Sequence, residues 1–192
     1  GPSGDITLTN GYYLVFANTY LRHGSGTRTG YTQRLTLGGT PVEGSLTTVY
    51  MRGGNSTQDG SATIGMILEA TAGQVLNVEL SKESGANCNI IAARTGLTIV
   101  KLPENAEFVR LQDTSPNPGG TDGQDLNPAT ATPVTFGTQV EAPDAPFSHT
   151  AGNSEITINE TNNFLFLAAY FCDDDGAARV VPNPQWSVGG TT

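Results

Sequence analysis

Charge, aromatic weight and sulfur are all scarce in this chain. Only 14% of its 192 residues are charged and 7% are aromatic, with one tryptophan, Trp186, and two histidines, His23 and His149. The two cysteines, Cys88 and Cys172, form no CxxC pair and no Cys/His cluster, so a structural zinc site has no ligand set. They are either one disulfide of an oxidising compartment or two buried thiols, and the pair does not fix the compartment. No apolar run approaches the roughly 20 residues of a membrane-spanning helix. No charged-then-apolar stretch of signal-peptide type opens the sequence. The G-x-S-x-G elbow, the P-loop, the Rossmann glycines and the H-E-x-x-H pair are all missing. His23 and His149 fall in separate loops without a fixed companion, and Ser25 beside His23 does not make a nucleophile pair. No enzyme is expected.

What the chain has in plenty is glycine, 24 residues, together with Thr, Asn and Ser. That composition suits strands joined by polar turns rather than helices, which prefer Ala, Leu, Glu and Lys. The expected fold class is all-β. Net charge is −9, unevenly placed. Residues 1–103 hold seven Lys/Arg and six Asp/Glu, a net of +1, whereas 104–192 hold two against twelve, a net of −10. An acidic half repels phosphates, so no nucleic-acid partner is expected. The asymmetry also allows the acidic half to meet a less acidic part of a neighbouring subunit.

One stretch organises the rest. ITLTNGYYLVFA (6–17) returns in variant form as ITINETNNFLFLAA (156–169), each a short alternating strand, a break at Asn or Gly, and a dense apolar strand. Each copy is followed by a loop, an Arg (Arg28, Arg179), a strand (34–37, 185–188) and a Gly pair. The spacing of 150 residues reads as a duplicated building block of domain length, and the two copies are expected in like surroundings. Ile6, Leu8, Tyr12, Leu14 and Phe16 share a parity and line one face if the Asn10-Gly11 break preserves it. Tyr13, Val15 and Ala17 make the other face apolar too, as in a central, covered strand.

Further strands are expected at 31–37, ending at Gly38-Gly39, and at 46–52, 97–102, 108–111, 134–140, 164–171 and 179–188. Residues 62–81 read as a hairpin turning at 71–73, with Leu76, Val78 and Leu80 alternating with Asn77 and Glu79. Residues 113–133 lack a core pattern and read as an exposed loop or linker. The opening GPSGD spells two Gly-X-Y triplets and is read as a tag remnant or an accident rather than a collagen-like end. Asn55 and Asn159 begin N-glycosylation triplets of a kind that chance supplies in so Asn/Thr-rich a chain.

The order of landmarks resembles the C1q/TNF-like jelly roll. FVRL (108–111), VTFGTQV (134–140), TAGNSEITIN (150–159) and NFLFLAAYF (163–171) resemble that family's opening strands. GYYLVFANTY (11–20), LTLGGT (35–40), IGMILEATAGQVLNVEL (64–80) and GLTIVKL (96–102) resemble its later ones. The resemblance implies an antiparallel jelly-roll β-sandwich, with 1–103 as the later strands of one unit and 104–192 as the opening strands of a second. Three accounts of that order stand open: a piece of a longer repeat protein, a complete smaller sandwich in 1–103, or strands completed by a neighbouring chain. The family implies an oligomer, commonly a trimer.

The role expected on this basis is structural, a subunit of an extracellular or virion-surface fibre, filament or decoration made of copies of itself. The rival is a secreted or surface adhesin that reads glycans or a receptor through loops 53–60 and 113–133. Tyr12, Leu14, Phe16, Phe164, Phe166 and Trp186 are the residues expected at contacts between copies. Calcium is the one cofactor considered, since hard cations want clustered oxygens. Asp173, Asp174 and Asp175 are its candidate ligands, with solvated acidic turns as the plainer account.

Overall fold

The computed structural model describes residues 5–24, 29–51, 58–82, 88–112, 135–136, 138–141, 146–161 and 164–168. Among these, the regular structure is strand throughout, apart from one 3-10 turn at Ala92–Arg94. One antiparallel sheet places β1 (Ile6–Thr7) beside β7 (Val75–Lys82) and β7 beside β3 (Thr29–Leu37). The far side of β3 carries both β4 (Thr40–Pro41) and β5 (Thr47–Met51). The second antiparallel sheet pairs β2 (Gly11–His23) with β6 (Gln58–Ala70) on one side. Its other side takes β8 (Cys88–Ile90) and β9 (Gly96–Lys101) end to end. Two small ladders follow, β10 (Arg110–Gln112) with β11 (Thr138–Glu141) and β12 (Phe147–Ser148) with β13 (Thr157–Ile158).

The sheets face each other across a core that their own periodicity dictates. On β2, Tyr13, Val15 and Ala17 are buried, and on β6 so are Ile64, Met66, Leu68 and Ala70. Leu35 from β3, Leu76 from β7 and Leu8 close the same cluster from the opposite sheet. Burying each Leu here is worth about 1.5–3 kcal/mol relative to exposure. The result is an all-β sandwich, as the composition predicts.

The Asn10-Gly11 break is real, but it does not preserve parity. Leu8 sits in the core with Tyr13 and Val15, whereas Tyr12, Leu14 and Phe16 point to the outer face of their sheet and are half-buried. The break carries the chain from one sheet to the other, and the new sheet restarts the alternation. Gly11 has φ +134°, a conformation that side chains rarely adopt.

Residues 62–81 do not form a hairpin. β6 pairs with β2 and β7 pairs with β3, so the turn at 71–74 is an arch between sheets. Both strands bury one face, and alternation alone does not say whether two such strands lie side by side or face to face. The true tight turn is Gly38-Gly39, with φ of 57° and 82°, which joins β3 to β4.

The two copies of the organising stretch lie in unlike surroundings. Residues 11–17 are the middle of β2, paired on both sides. Among the described residues of the second copy, Thr157–Ile158 is strand and 164–168 belong to no ladder. The physical reason is local. Among the described residues, the second copy has no equivalents of β6 and β9 to pair with. Strand is also absent at 135–136 and at 108–109, so those expected strands are shorter than the sequence pattern implies. The loop 113–133, the segment 179–188 and Cys172 lie outside the described residues.

Candidate functional site

β2 is the spine of the three-strand-wide sheet, and its outer face gathers most of what the sequence singled out. Tyr12, Leu14 and Phe16 are successive residues on that face. Opposite Leu14 stand Ile67 of β6 and Val100 of β9, and opposite Phe16 stand Gly65 and Thr98. A Cβ at Gly65 would meet the Phe16 ring at 3.2 Å, so the ring lies across the glycine and covers the backbone there. Phe108 meets Tyr12 edge-on, with ring centroids 4.9 Å apart. The face is thus an apolar band across three strands.

Further along β2 the same face turns polar. Arg22 Nε donates to Asp59 Oδ1 at 2.8 Å and Arg22 Nη2 to Asp59 Oδ2 at 2.9 Å. The Tyr20 hydroxyl donates to Asp59 Oδ2 at 3.0 Å and accepts from Arg94 Nη1 at 2.9 Å. The Arg94 guanidinium also lies 4.9 Å from the centre of the Tyr20 ring. Arg22 holds the Asp59 carboxyl well below the usual range, at about 2, with help from Tyr20 and Arg94. Arg94 ends the 3-10 turn between β8 and β9, so this network ties the outer strands to β2. Nothing in the sequence pattern marks these four residues. Their relation appears only once the register between β2 and β6 is known.

β9 is the exposed rim of the sheet. Its Ile99, opposite Val15, reaches the core, but Leu97 is 38% exposed and Val100 47%. Ile90 of β8 is exposed along the same edge. Among the described residues no strand pairs with the far side of β8 or β9.

At the other end of the sandwich is a buried polar cluster. His23 is not in a loop; it is the last residue of β2 and fully buried. Its Nδ1 lies 2.8 Å from the Tyr31 hydroxyl. Burial, and then the Cys88 thiol beside it, pushes the Tyr31 phenol up to about 12. Cys88 is a free thiol, packed with Leu21, Tyr31 and Met51. His23 and Tyr31 are buried, and half-buried Cys88 packs against the same small core. His149 sits near Asn153 O and the Phe136 ring.

Of the six expected contact residues, Tyr12, Leu14 and Phe16 share one face. Phe164 and Phe166 do not join it. Phe164 stacks edge-on with Phe147 at 5.4 Å and neighbours Phe166 at 6.5 Å. Trp186 and the candidate calcium ligands Asp173, Asp174 and Asp175 lie outside the described residues. No described helix is long and apolar enough to cross a membrane. No protein-family model matches the chain, and no curated protein matches it.

Proposed function

We propose that this protein is a non-enzymatic structural subunit, a C1q/TNF-like jelly roll that builds an extracellular or virion-surface fibre, filament or decoration by sharing strands between copies. One observation carries the reading. β9 has the composition of a covered strand, with apolar residues on both faces, yet among the described residues nothing pairs with its outer edge. Exposed strand edges pair with other chains unless charge, proline or a bulge prevents it. The His23–Tyr31 contact, with half-buried Cys88 beside it, fits packing of a core.

Size-exclusion chromatography with light scattering, followed by negative-stain microscopy, tests the reading. A stable oligomer or filament formed without added ligand supports it. A monomer at all concentrations that binds glycans on an array overturns it in favour of an adhesin.

A further inference from the structure

Asn10-Gly11 lies where the chain leaves one sheet for the other. We infer that it is a latent modification site, at which Asn10 converts to aspartate and isoaspartate at a rate set by the hydrogen bond from Ala72. The chemistry is independent of the assembly proposed above.

This is the one Asn-Gly pair of the chain. Asparagine is a labile residue, because the next main-chain nitrogen can attack its side chain. Gly11 N, after giving its proton to hydroxide, forms a bond to Asn10 Cγ. The Cγ–Nδ2 bond breaks, and that nitrogen leaves as ammonia with a proton from water. Water then opens the cyclic imide at either carbonyl. Opening at one gives aspartate. Opening at the other gives isoaspartate, with an extra methylene in the main chain. In sum a water enters and an ammonia leaves, and nothing is oxidised or reduced. A glycine in second place favours the attack, since no Cβ hinders it.

The crossing requires that glycine. Its φ of +134° is one that side chains rarely adopt, and a Cβ there would stand 3.0 Å from Lys101 Cε. Asn10 is exposed, so hydroxide and water reach it. What opposes ring closure is the hold on the side chain. Ala72 N–H donates to Asn10 Oδ1 at 2.6 Å, and closure must turn Cγ toward Gly11 N and draw Oδ1 off that donor. The main chain is anchored on both sides as well. Leu8 N–H donates to Gln74 O at 2.8 Å, Gly73 N–H to Leu8 O at 3.0 Å, and Thr9 N–H to the Tyr13 hydroxyl at 3.1 Å. The closed crossing therefore reacts slowly, and local opening releases it.

The two products differ in consequence. Aspartate keeps an acceptor for Ala72 N–H. Isoaspartate lengthens the main chain between Leu8 and Tyr13, both of which sit in the core. The crossing then cannot close again in register, and an opening that began as reversible becomes permanent.

Ala72→Pro tests the hold. Gln74 N–H donates to Thr71 O at 3.1 Å and Gly73 has φ +88°, so Ala72 is the second residue of a type II turn, a place that suits proline. The variant loses the donor to Asn10 and keeps the turn. Folded wild type, folded Ala72→Pro and urea-unfolded wild type are incubated at mildly alkaline pH, and peptide mass mapping follows aspartate and isoaspartate at residue 10. The unfolded chain should convert at least about tenfold faster than folded wild type. Ala72→Pro should convert about three- to tenfold faster. Asn10→Ser should give neither product there. Folded wild type that converts as fast as the unfolded chain overturns the assignment. So does an Ala72→Pro protein that melts like wild type and converts at the wild-type rate. If Ala72→Pro does not fold, wild type in a urea series below its unfolding transition replaces it. Conversion that rises with urea there supports local release, and conversion that stays flat until global unfolding overturns it.

Discussion

Arg22 and Asp59 face each other across β2 and β6 as a two-point pair, with hydrogen bonds of 2.8 and 2.9 Å. Tyr20 adds a third bond to the same carboxylate. Arg22 foremost holds the folded-state Asp59 at about 2, below the unfolded value of about 4. Its contribution is therefore complete above about pH 4 and is lost as pH falls through about 2. The melting-temperature gap between wild type and Asp59→Asn should be open at pH 6 and close across that acid window. A gap that stays constant down to pH 2 would contradict the pairing.

Tyr31 gives the opposite limb. Burial first, and Cys88 second, raise its phenol to about 12. The stability tied to its protonated form is complete below the unfolded value of about 10 and is lost as pH rises through about 12. Denaturant melts at pH 8 and pH 11 should show wild type losing more than Tyr31→Phe. The variant should be the less stable protein at pH 8, because it abandons the bond to His23 Nδ1.

Gln33 is fully buried, and its Oε1 has no hydrogen-bond partner among the described residues. Its Nε2 donates to Ala17 O at 3.1 Å. The phase of β2 already directs that carbonyl into the ladder with β6, so it does not depend on Gln33. Gln33→Met keeps the length of the side chain and removes the orphan acceptor. It should raise stability by about 1 kcal/mol in urea melts. A loss of stability would show that the amide has a partner in solution.

Leu76 is fully buried in the main core and pairs in register with Ile6 and Leu37. Leu76→Ala should cost about 2–5 kcal/mol, depending on how far the surrounding side chains collapse. Chemical denaturation measures it directly. A cost well under 1 kcal/mol would mean that the two sheets do not pack as described.

The alternation in β2 and β6 was legible because each strand buries one face, and a period of two exposes that fact to any reader of the sequence. The face chosen in β2 was legible only in part. Both parities are apolar from Tyr12 to Ala17, and the parity change at Asn10-Gly11 is a property of a three-dimensional crossing. The false hairpin at 62–81 has the same origin, since turn residues and alternation are common to hairpins and arches. The repeat at 156–169 marked a sequence likeness, yet a strand is made by the strands it pairs with, and 164–168 lie in no ladder among the described residues. The apolar band of Tyr12, Leu14 and Phe16 was anticipated. The Arg22–Asp59–Tyr20–Arg94 network was not, because its members lie as much as 74 positions apart and meet only through register.

Two chain crossings between the sheets lie side by side at one rim. Leu8 N–H donates to Gln74 O, Gly73 N–H to Leu8 O and Ala72 N–H to Asn10 Oδ1. The two passages are thus stitched to each other as well as to their sheets. At the opposite rim the chain passes between the sheets three more times, from β2 to β3, from β5 to β6 and from β7 to β8, so the two layers are tethered covalently at both ends and neither can peel away from the other like a hinged leaf.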